Sequence, residues 1–199
     1  MMLMRYVSQE NFTEAIKALN RGDIVAVPTE TVYGLAVKLD NTAAIRKLLE
    51  LNNRQVDSEK MLTLMVADVD DIKKYAFVNR KTTNLARHYF PGELTLILPK
   101  HKNFKHPYFD HFEKVGFRIP DYQYLLELLR KTGPLLVASA NPRGQAPCRT
   151  AKEVAEKLPK IDTIIEGESG GNLPSTIIDW TEDEPVQVRQ GGLLIVRYA

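Results

Sequence analysis

The chain has 199 residues, a length one hydrophobic core can serve, because cores grow to roughly 250 residues before chains tend to split. Its 44% hydrophobic and 26% charged residues exclude a disordered tail or a collagen-like repeat, and 27 Lys and Arg against 25 Asp and Glu, net +2, exclude as a default a protein that grips nucleic acid mainly through phosphates. The lone Cys148 has no intrachain disulfide partner, no Cys/His cluster offers four zinc ligands, and no run approaches the ~18 apolar residues of a membrane span, so a soluble, cytoplasmic single domain over 1–199 is expected.

In chain order, Phe12, Ile16 and Leu19 share a helical face behind Asn11, and Gly22 stands in the usual stop position. Residues 24–27 read as a buried strand running into Pro28, and Thr29-Glu30-Thr31-Val32-Tyr33-Gly34 as polar loop. Asn41 caps a second helix with Ile45, Leu48 and Leu49 inward, ending near Asn52-Asn53. A strand over 61–66 precedes short helices at 69–76 and 80–89, a turn at Pro91-Gly92 and a strand over 94–98. A basic, aromatic connection over 100–114 leads into a strand over 115–119, and Tyr122, Leu125, Leu126 and Leu129 mark the next helix. Residues 135–137 form a buried strand that opens into Ser139-Ala140-Asn141-Pro142-Arg143-Gly144, and Thr150-Ala151-Lys152-Glu153 fits a capping box at a helix start. Strands over 163–165, 175–178 and 186–189 complete an alternating pattern that argues for an α/β or α+β sheet rather than a bundle or sandwich.

Ligands of open α/β sheets bind just beyond strand ends, and two buried strands here end in polar residues: 25–27 in Pro28-Thr29-Glu30-Thr31, and 135–137 in Ser139-Ala140-Asn141. Turn formation alone also accounts for such residues. Neither a P-loop nor a dinucleotide fingerprint is present, so any nucleotide site must be built differently. The helix start at Thr150, near Arg143 and Arg149, offers free N–H groups to an anion, although a plain capping box is the simpler account. His88, His101, His106 and His111 lack metalloprotease spacing. Lys100, Lys102, Lys105 and Lys114, interleaved with Phe104, Tyr108, Phe109 and Phe112, offer charge and stacking faces to RNA; Asp110 and Glu113 dilute them, and a solvated loop pinned by aromatics is the plainer reading.

Six stretches then occur in the order of the YrdC family: Pro28-Thr29-Glu30-Thr31-Val32-Tyr33-Gly34-Leu35; Pro91-Gly92-Glu93-Leu94-Thr95; Phe117-Arg118-Ile119-Pro120; Ser139-Ala140-Asn141 with Gly144 and Pro147-Cys148-Arg149-Thr150; Pro174-Ser175-Thr176-Ile177; and Val188-Arg189-Gln190-Gly191. The chain resembles that family over nearly its whole length. The resemblance implies a single twisted mixed sheet flanked by helices, with a concave basic groove, and L-threonylcarbamoyladenylate synthase activity. In that reaction L-threonine, bicarbonate and ATP give threonylcarbamoyl-AMP and pyrophosphate, for the t6A modification of tRNA. It looks like the short form without an extra C-terminal domain.

By the same resemblance Thr31, Arg118 and Ser175 match threonine-holding positions, and Arg54, Ser139, Asn141, Thr150 and Arg189 match positions around ATP, with Ser58 and Lys114 as weaker nucleotide contacts. Arg54, Ser139 and Asn141 are the implied catalytic set, acting on the phosphates with Mg²⁺ as counter-ion and with no protein-borne metal site. A carboxylate needs a cation, best a guanidinium fork, and the chemistry needs alignment and charge neutralisation rather than a protein nucleophile. One departure stands out. Asn52 occupies the place of the lysine in the family's Lys-x-Arg, which predicts weakened activity unless another cation such as Lys60 substitutes. The segment around Thr63-Leu64-Met65-Val66 is similar to the divergent YciO-like branch. The expected partners are ATP, L-threonine and bicarbonate, with tRNA and a downstream threonylcarbamoyl transferase complex beyond them and no membrane. The alternatives are an RNA-binding module without synthase activity, or transfer of a different carbamoyl or nucleotide group.

Overall fold

Local signals set the helices where the apolar spacing predicts them. Asn11 accepts the Glu14 backbone N–H at 3.1 Å and Gly22, at φ 82°, closes α1 (Phe12–Arg21), which buries Ala15, Ala18 and Leu19. The computed structural model describes residues 4–51, 61–142 and 144–196. Asn41 accepts the Ala44 N–H at 3.0 Å ahead of α2 (Thr42–Leu51), whose expected end at Asn52-Asn53 lies outside the described residues. The helix expected over 69–76 is only α3 (Val69–Ile72), because the chain leaves it to set Ala76 opposite Lys100 in a β-bridge. A reciprocal Asn79–Thr82 capping box opens α4 (Arg80–Tyr89), and α5 (Gln123–Thr132) and α6 (Ala151–Lys157) follow. At α6, Thr150 Oγ1 accepts from Glu153 N at 3.2 Å as expected; the Glu153 carboxylate, however, reaches back one residue too far for the full box and takes the Arg149 N–H at 2.7 Å.

Among the described residues ten strands make one mixed sheet. They are β1 (Arg5–Val7), β2 (Val25–Val27), β3 (Gly34–Lys38), β4 (Thr63–Met65), β5 (Leu94–Pro99), β6 (Lys114–Arg118), β7 (Leu135–Ser139), β8 (Thr163–Ile165), β9 (Thr176–Asp179) and β10 (Val186–Arg189), in spatial order β1-β8-β2-β3-β7-β4-β6-β5-β9-β10. Two of them, β1 and β3, have no counterpart in the sequence reading. Strand β3 is antiparallel to β2 and to β7, with Gly34 opposite both Val27 and Ser139. Ser139 is therefore the last residue of a strand, not the first of a loop. The stretch read as polar loop is loop through Tyr33, with Gly34 opening β3 instead, and it is buried: Thr29, Thr31 and Tyr33 are 1%, 0% and 0% exposed.

One face of the sheet is covered along its length. Its core joins Ala26, Leu35, Leu64, Leu96, Phe117, Leu136 and Ile178 to α2, α4 and α6 through Leu48, Leu85 and Val154. On the other face α1 and α5 pack together over Val25, Val27, Ala36, Met65, Leu135 and Val137, and the cover ends there. The aromatics of 100–114 turn inward: Tyr108 and Phe109 are buried, their ring centroids 4.9 Å apart, and Phe104 lies 5.4 Å from Phe109. Lys100 spends its ammonium on the Phe109 carbonyl at 2.6 Å. Among the described residues no helix is long and apolar enough to cross a membrane.

Candidate active site

Side chains alternate along a strand, so the uncovered face can be read residue by residue. In β6, Val115 and Phe117 enter the large core, and Lys114, Gly116 and Arg118 point the other way. A Cβ on Gly116 would lie 3.6 Å from Ile97 Cγ1 and 3.7 Å from Thr95 Cγ2, which sets those β5 side chains on the same face. Leu96 pairs with Phe117 in antiparallel register, placing Thr95 beside Arg118, and Thr95 Oγ1 lies 2.7 Å from Ser175 Oγ at the entry to β9. Beyond β4 this face therefore mixes Arg118, Lys114 and Thr95 with the apolar Ile97, and the loop of Thr31 reaches over it to Arg118.

Arg118, 6% exposed, is a buried cation on that surface. Its Nη2 donates to Thr31 Oγ1 at 2.7 Å, and Thr29 Oγ1 donates to the Val32 carbonyl at 2.8 Å while lying 2.9 Å from Thr31 Oγ1. Because the one Thr29 hydroxyl proton goes to Val32, the Thr31 hydroxyl must donate to Thr29, and the relay runs Arg118 to Thr31 to Thr29 to Val32. Thr31 is locked in place with one acceptor lone pair to spare. Arg118 Nη2 also lies 2.8 Å from Glu30 Oε1, but without hydrogen-bond alignment: both Glu30 oxygens and Arg118 Nε are buried with no hydrogen-bond partner.

The loop carrying these groups is fixed by distant segments. Gly170 N donates to Thr29 O at 3.0 Å, Gly171 N to Thr31 O at 2.9 Å, and Tyr33 N to Cys148 O at 2.9 Å. A Cβ on Gly170 would stand 2.9 Å from Glu30 O, closer than real Cβ atoms come, and one on Gly171 a tight 3.0 Å from Thr31 O, so the approach needs a glycine at 170 and favours one at 171. The Tyr33 hydroxyl shares its proton between Ile165 O and Gly167 O, each at 2.8 Å, and burial pushes the phenol well above its usual range.

Thr31, Arg118 and Ser175, expected around threonine, thus come together. Arg189 joins them: its Nε and Nη2 grip Ser175 O at 2.9 and 2.8 Å, and Nη2 reaches Ser175 Oγ at 3.1 Å. Ser139 and Asn141 lie beside the same loop, since Ala140 N donates to Tyr33 O at 2.8 Å. Asn141 Nδ2 is occupied by the Pro142 and Gln145 carbonyls at 3.0 Å each, and its buried Oδ1 is open. Asn141 therefore presents an acceptor, unsuited to a phosphate oxygen but suited to a hydroxyl or a water on a cation. Thr150 caps α6, and Arg149 Nε ties it to Gly171 O at 3.1 Å. Lys114 shares the face of Arg118 from the far end of β6, roughly 13 Å along the strand, and pairs with Asp179 at 2.7 Å. Burial pushes the Asp179 carboxyl up, but the bonds from Lys114 and Thr181 outweigh it and hold the group below its ordinary value. Arg54 and Ser58, with Asn52, Lys60 and Arg143, lie outside the described residues.

Sequence reasoning assigned no role to Glu30, Thr95 or Gly170-Gly171. The glycine doublet was the available signal, since paired glycines mark a close backbone approach.

Comparison with known proteins supplies names for this arrangement. The family model Sua5_yciO_yrdC, described as telomere recombination, matches residues 17–191. A threonylcarbamoyl-AMP synthase of Vibrio campbellii is 36% identical over 176 residues, covering 85% of this chain and 94% of its own. The crystal structure of P. abyssi Sua5 complexed with L-threonine superposes with a TM-score of 0.86 at 31% identity over 96% of this chain, which spans 58% of that longer protein. E. coli YciO gives a TM-score of 0.86 at 27% identity, covering 96% of this chain and 97% of its own.

Proposed function

The chain belongs to the Sua5/YciO/YrdC family, and on that premise we propose that it is an L-threonylcarbamoyladenylate synthase, making threonylcarbamoyl-AMP and pyrophosphate from L-threonine, bicarbonate and ATP. The observation that carries this reading is the buried Arg118, held at 2.7 Å on Thr31 with Nε unpartnered, on a part of the sheet face beyond the α1 and α5 cover. A buried guanidinium with a free donor is the group an amino-acid carboxylate needs. The relative with bound L-threonine supports the same choice of substrate.

The reaction requires the threonine amine to be carboxylated and a carbamate oxygen to displace pyrophosphate at the α-phosphorus, a nucleotidyl transfer. The protein's part is alignment and neutralisation of charge. Arg118 and Thr31 fix the amino acid. Thr95, Ser175 and Arg189 form the wall beside it, Arg189 acting on the substrate through the segment it clamps. Ser139 offers a hydroxyl at the mouth, Asn141 an acceptor, and Thr150 orders the turn next to it. Lys114 marks the reach of the nucleotide along the face. Mg²⁺ enters on the ATP phosphates, and the product passes to a threonylcarbamoyl transferase complex acting on tRNA. Arg54 and Ser58 complete the nucleotide side. Asn52, a neutral amide in place of an ammonium, lowers the rate.

Purified protein given ATP, bicarbonate and Mg²⁺ should release pyrophosphate only when L-threonine is added. Asn52→Lys should raise that rate, and Arg54→Ala or Ser139→Ala should lower it. Release that is absent or indifferent to threonine overturns the reading.

A further inference from the structure

We propose that Glu30 is the counter-anion for the α-ammonium of the amino-acid substrate, so that Arg118 and Glu30 together recognise a zwitterion; this rests on the reading that Arg118 takes the substrate's carboxylate. Burying an ionised carboxylate is costly unless donors surround it, and one whose lone pairs all lack donors is a group awaiting a partner. Glu30 is such a group: Oε1 stands 2.8 Å from Arg118 Nη2 without alignment, and neither oxygen has a hydrogen bond. Arg118 Nε is open in the same way. One orphaned donor on a cation beside two orphaned acceptors on an anion is the complement of an amino acid, whose carboxylate accepts and whose ammonium carries three N–H donors.

Bracing does not account for Glu30. A pair serving only to hold Arg118 would use the aligned fork that guanidinium and carboxylate form readily, and the Arg118 head is already fixed by Thr31. The backbone on either side is held by Gly170 N to Thr29 O at 3.0 Å and Gly171 N to Thr31 O at 2.9 Å, so the loop keeps its shape without the Glu30 side chain. The same clamp fixes the backbone from which that side chain projects, since the Gly170 backbone lies against the Glu30 carbonyl and Cα. The amine, the atom that must be carboxylated, is then set against Glu30 while Arg118 holds the substrate's carboxylate.

Calorimetric titration with L-threonine and with its α-hydroxy analogue, in which a hydroxyl replaces the ammonium, tests this. Wild type should bind threonine tighter than the analogue by about tenfold or more, the scale of one charge-assisted contact. In Glu30→Gln that ratio should collapse toward unity, with binding of the analogue retained. Equal loss for both ligands in Glu30→Gln makes the residue a brace and overturns the proposal. Equal binding of the two by wild type overturns it with no variant at all, which keeps the test decisive if Glu30→Gln melts early. Failure of wild type to bind threonine overturns the threonine reading itself, and is told apart because the other outcomes all require threonine to bind.

Discussion

The two halves of the sheet use the same strand geometry and end differently. From β1 to β4 both faces are packed, one by α2, α4 and α6 and the other by α1 and α5. From β6 to β10 the second face carries Arg118, Gly116, Lys114, Thr95 and Asp179 among the isoleucines Ile97 and Ile177, in place of a continuous helix-facing apolar stripe. The contrast is written in the strands. Leu135–Ser139 is Leu-Leu-Val-Ala-Ser, apolar at nearly every position, and Lys114–Arg118 is Lys-Val-Gly-Phe-Arg, apolar at every second one. A strand buried on both faces loses its alternation, and one with a polar face keeps it. The packed half supplies stability, and the open half can then afford a buried charge.

Arg118 offers the largest effect. Arg118→Ala should destabilise the fold by about 3–5 kcal/mol by urea denaturation, because it strands the Glu30 carboxylate, and should abolish threonine-dependent pyrophosphate release. Arg118→Lys separates the two roles. It keeps a cation by Glu30 and loses the fork, so stability should largely survive, and kcat/KM for threonine should fall by roughly 30-fold or more, the scale of a lost buried charge-pair contact of about 2 kcal/mol. Full activity in Arg118→Lys would mean that the open half tolerates any cation there.

The packed half should answer in the opposite sense. Leu128 of α5 is fully buried between the α1 side chains and the sheet, and Leu128→Ala should cost about 2–5 kcal/mol of stability. The KM for threonine should stay unchanged, since Leu128 lies in the core under α1 and α5. A shifted KM would show the halves to be coupled through β4 and β7.

The packed half was also the more legible one. Periodicity and caps placed α1, α2, α4 and α5, and the Thr163–Ile165 strand stood out as an apolar run. Strand β3 escaped because its first residue, Gly34, reads as the end of a turn, and β1 because three residues carry no period. The burial of the loop before β3 stayed hidden for a physical reason. Thr29 and Thr31 are turn formers by local chemistry, and they are covered by Gly170 and Gly171, about 140 residues away; the doublet marks a close approach, but no local pattern says which segment it meets. Arg118, Thr31 and Ser175 were found by family resemblance; that Glu30 faces Arg118 became visible only in three dimensions.

The smallest effect lies at the far end of the open face. Asp179 titrates below its ordinary value through Lys114 and Thr181, against the upward push of burial. A carboxylate with a lowered folded pKa adds stability above its unfolded value of about 3.9, and loses it as the pH falls through the lower, folded value. Melting temperature should therefore drop as the solution is acidified past the carboxylate range. In Lys114→Met that share of the drop should shrink by at most about 1 kcal/mol, because the Lys114 side chain is 45% exposed and water screens the pair. The nucleotide sharpens the comparison. If ATP draws the Lys114 ammonium off Asp179, wild type saturated with ATP should lose this acid-sensitive share too, and Lys114→Met should bind ATP more weakly. If acid sensitivity is the same with and without ATP, Lys114 stays on Asp179 and the polar face used in the reaction stops short of it.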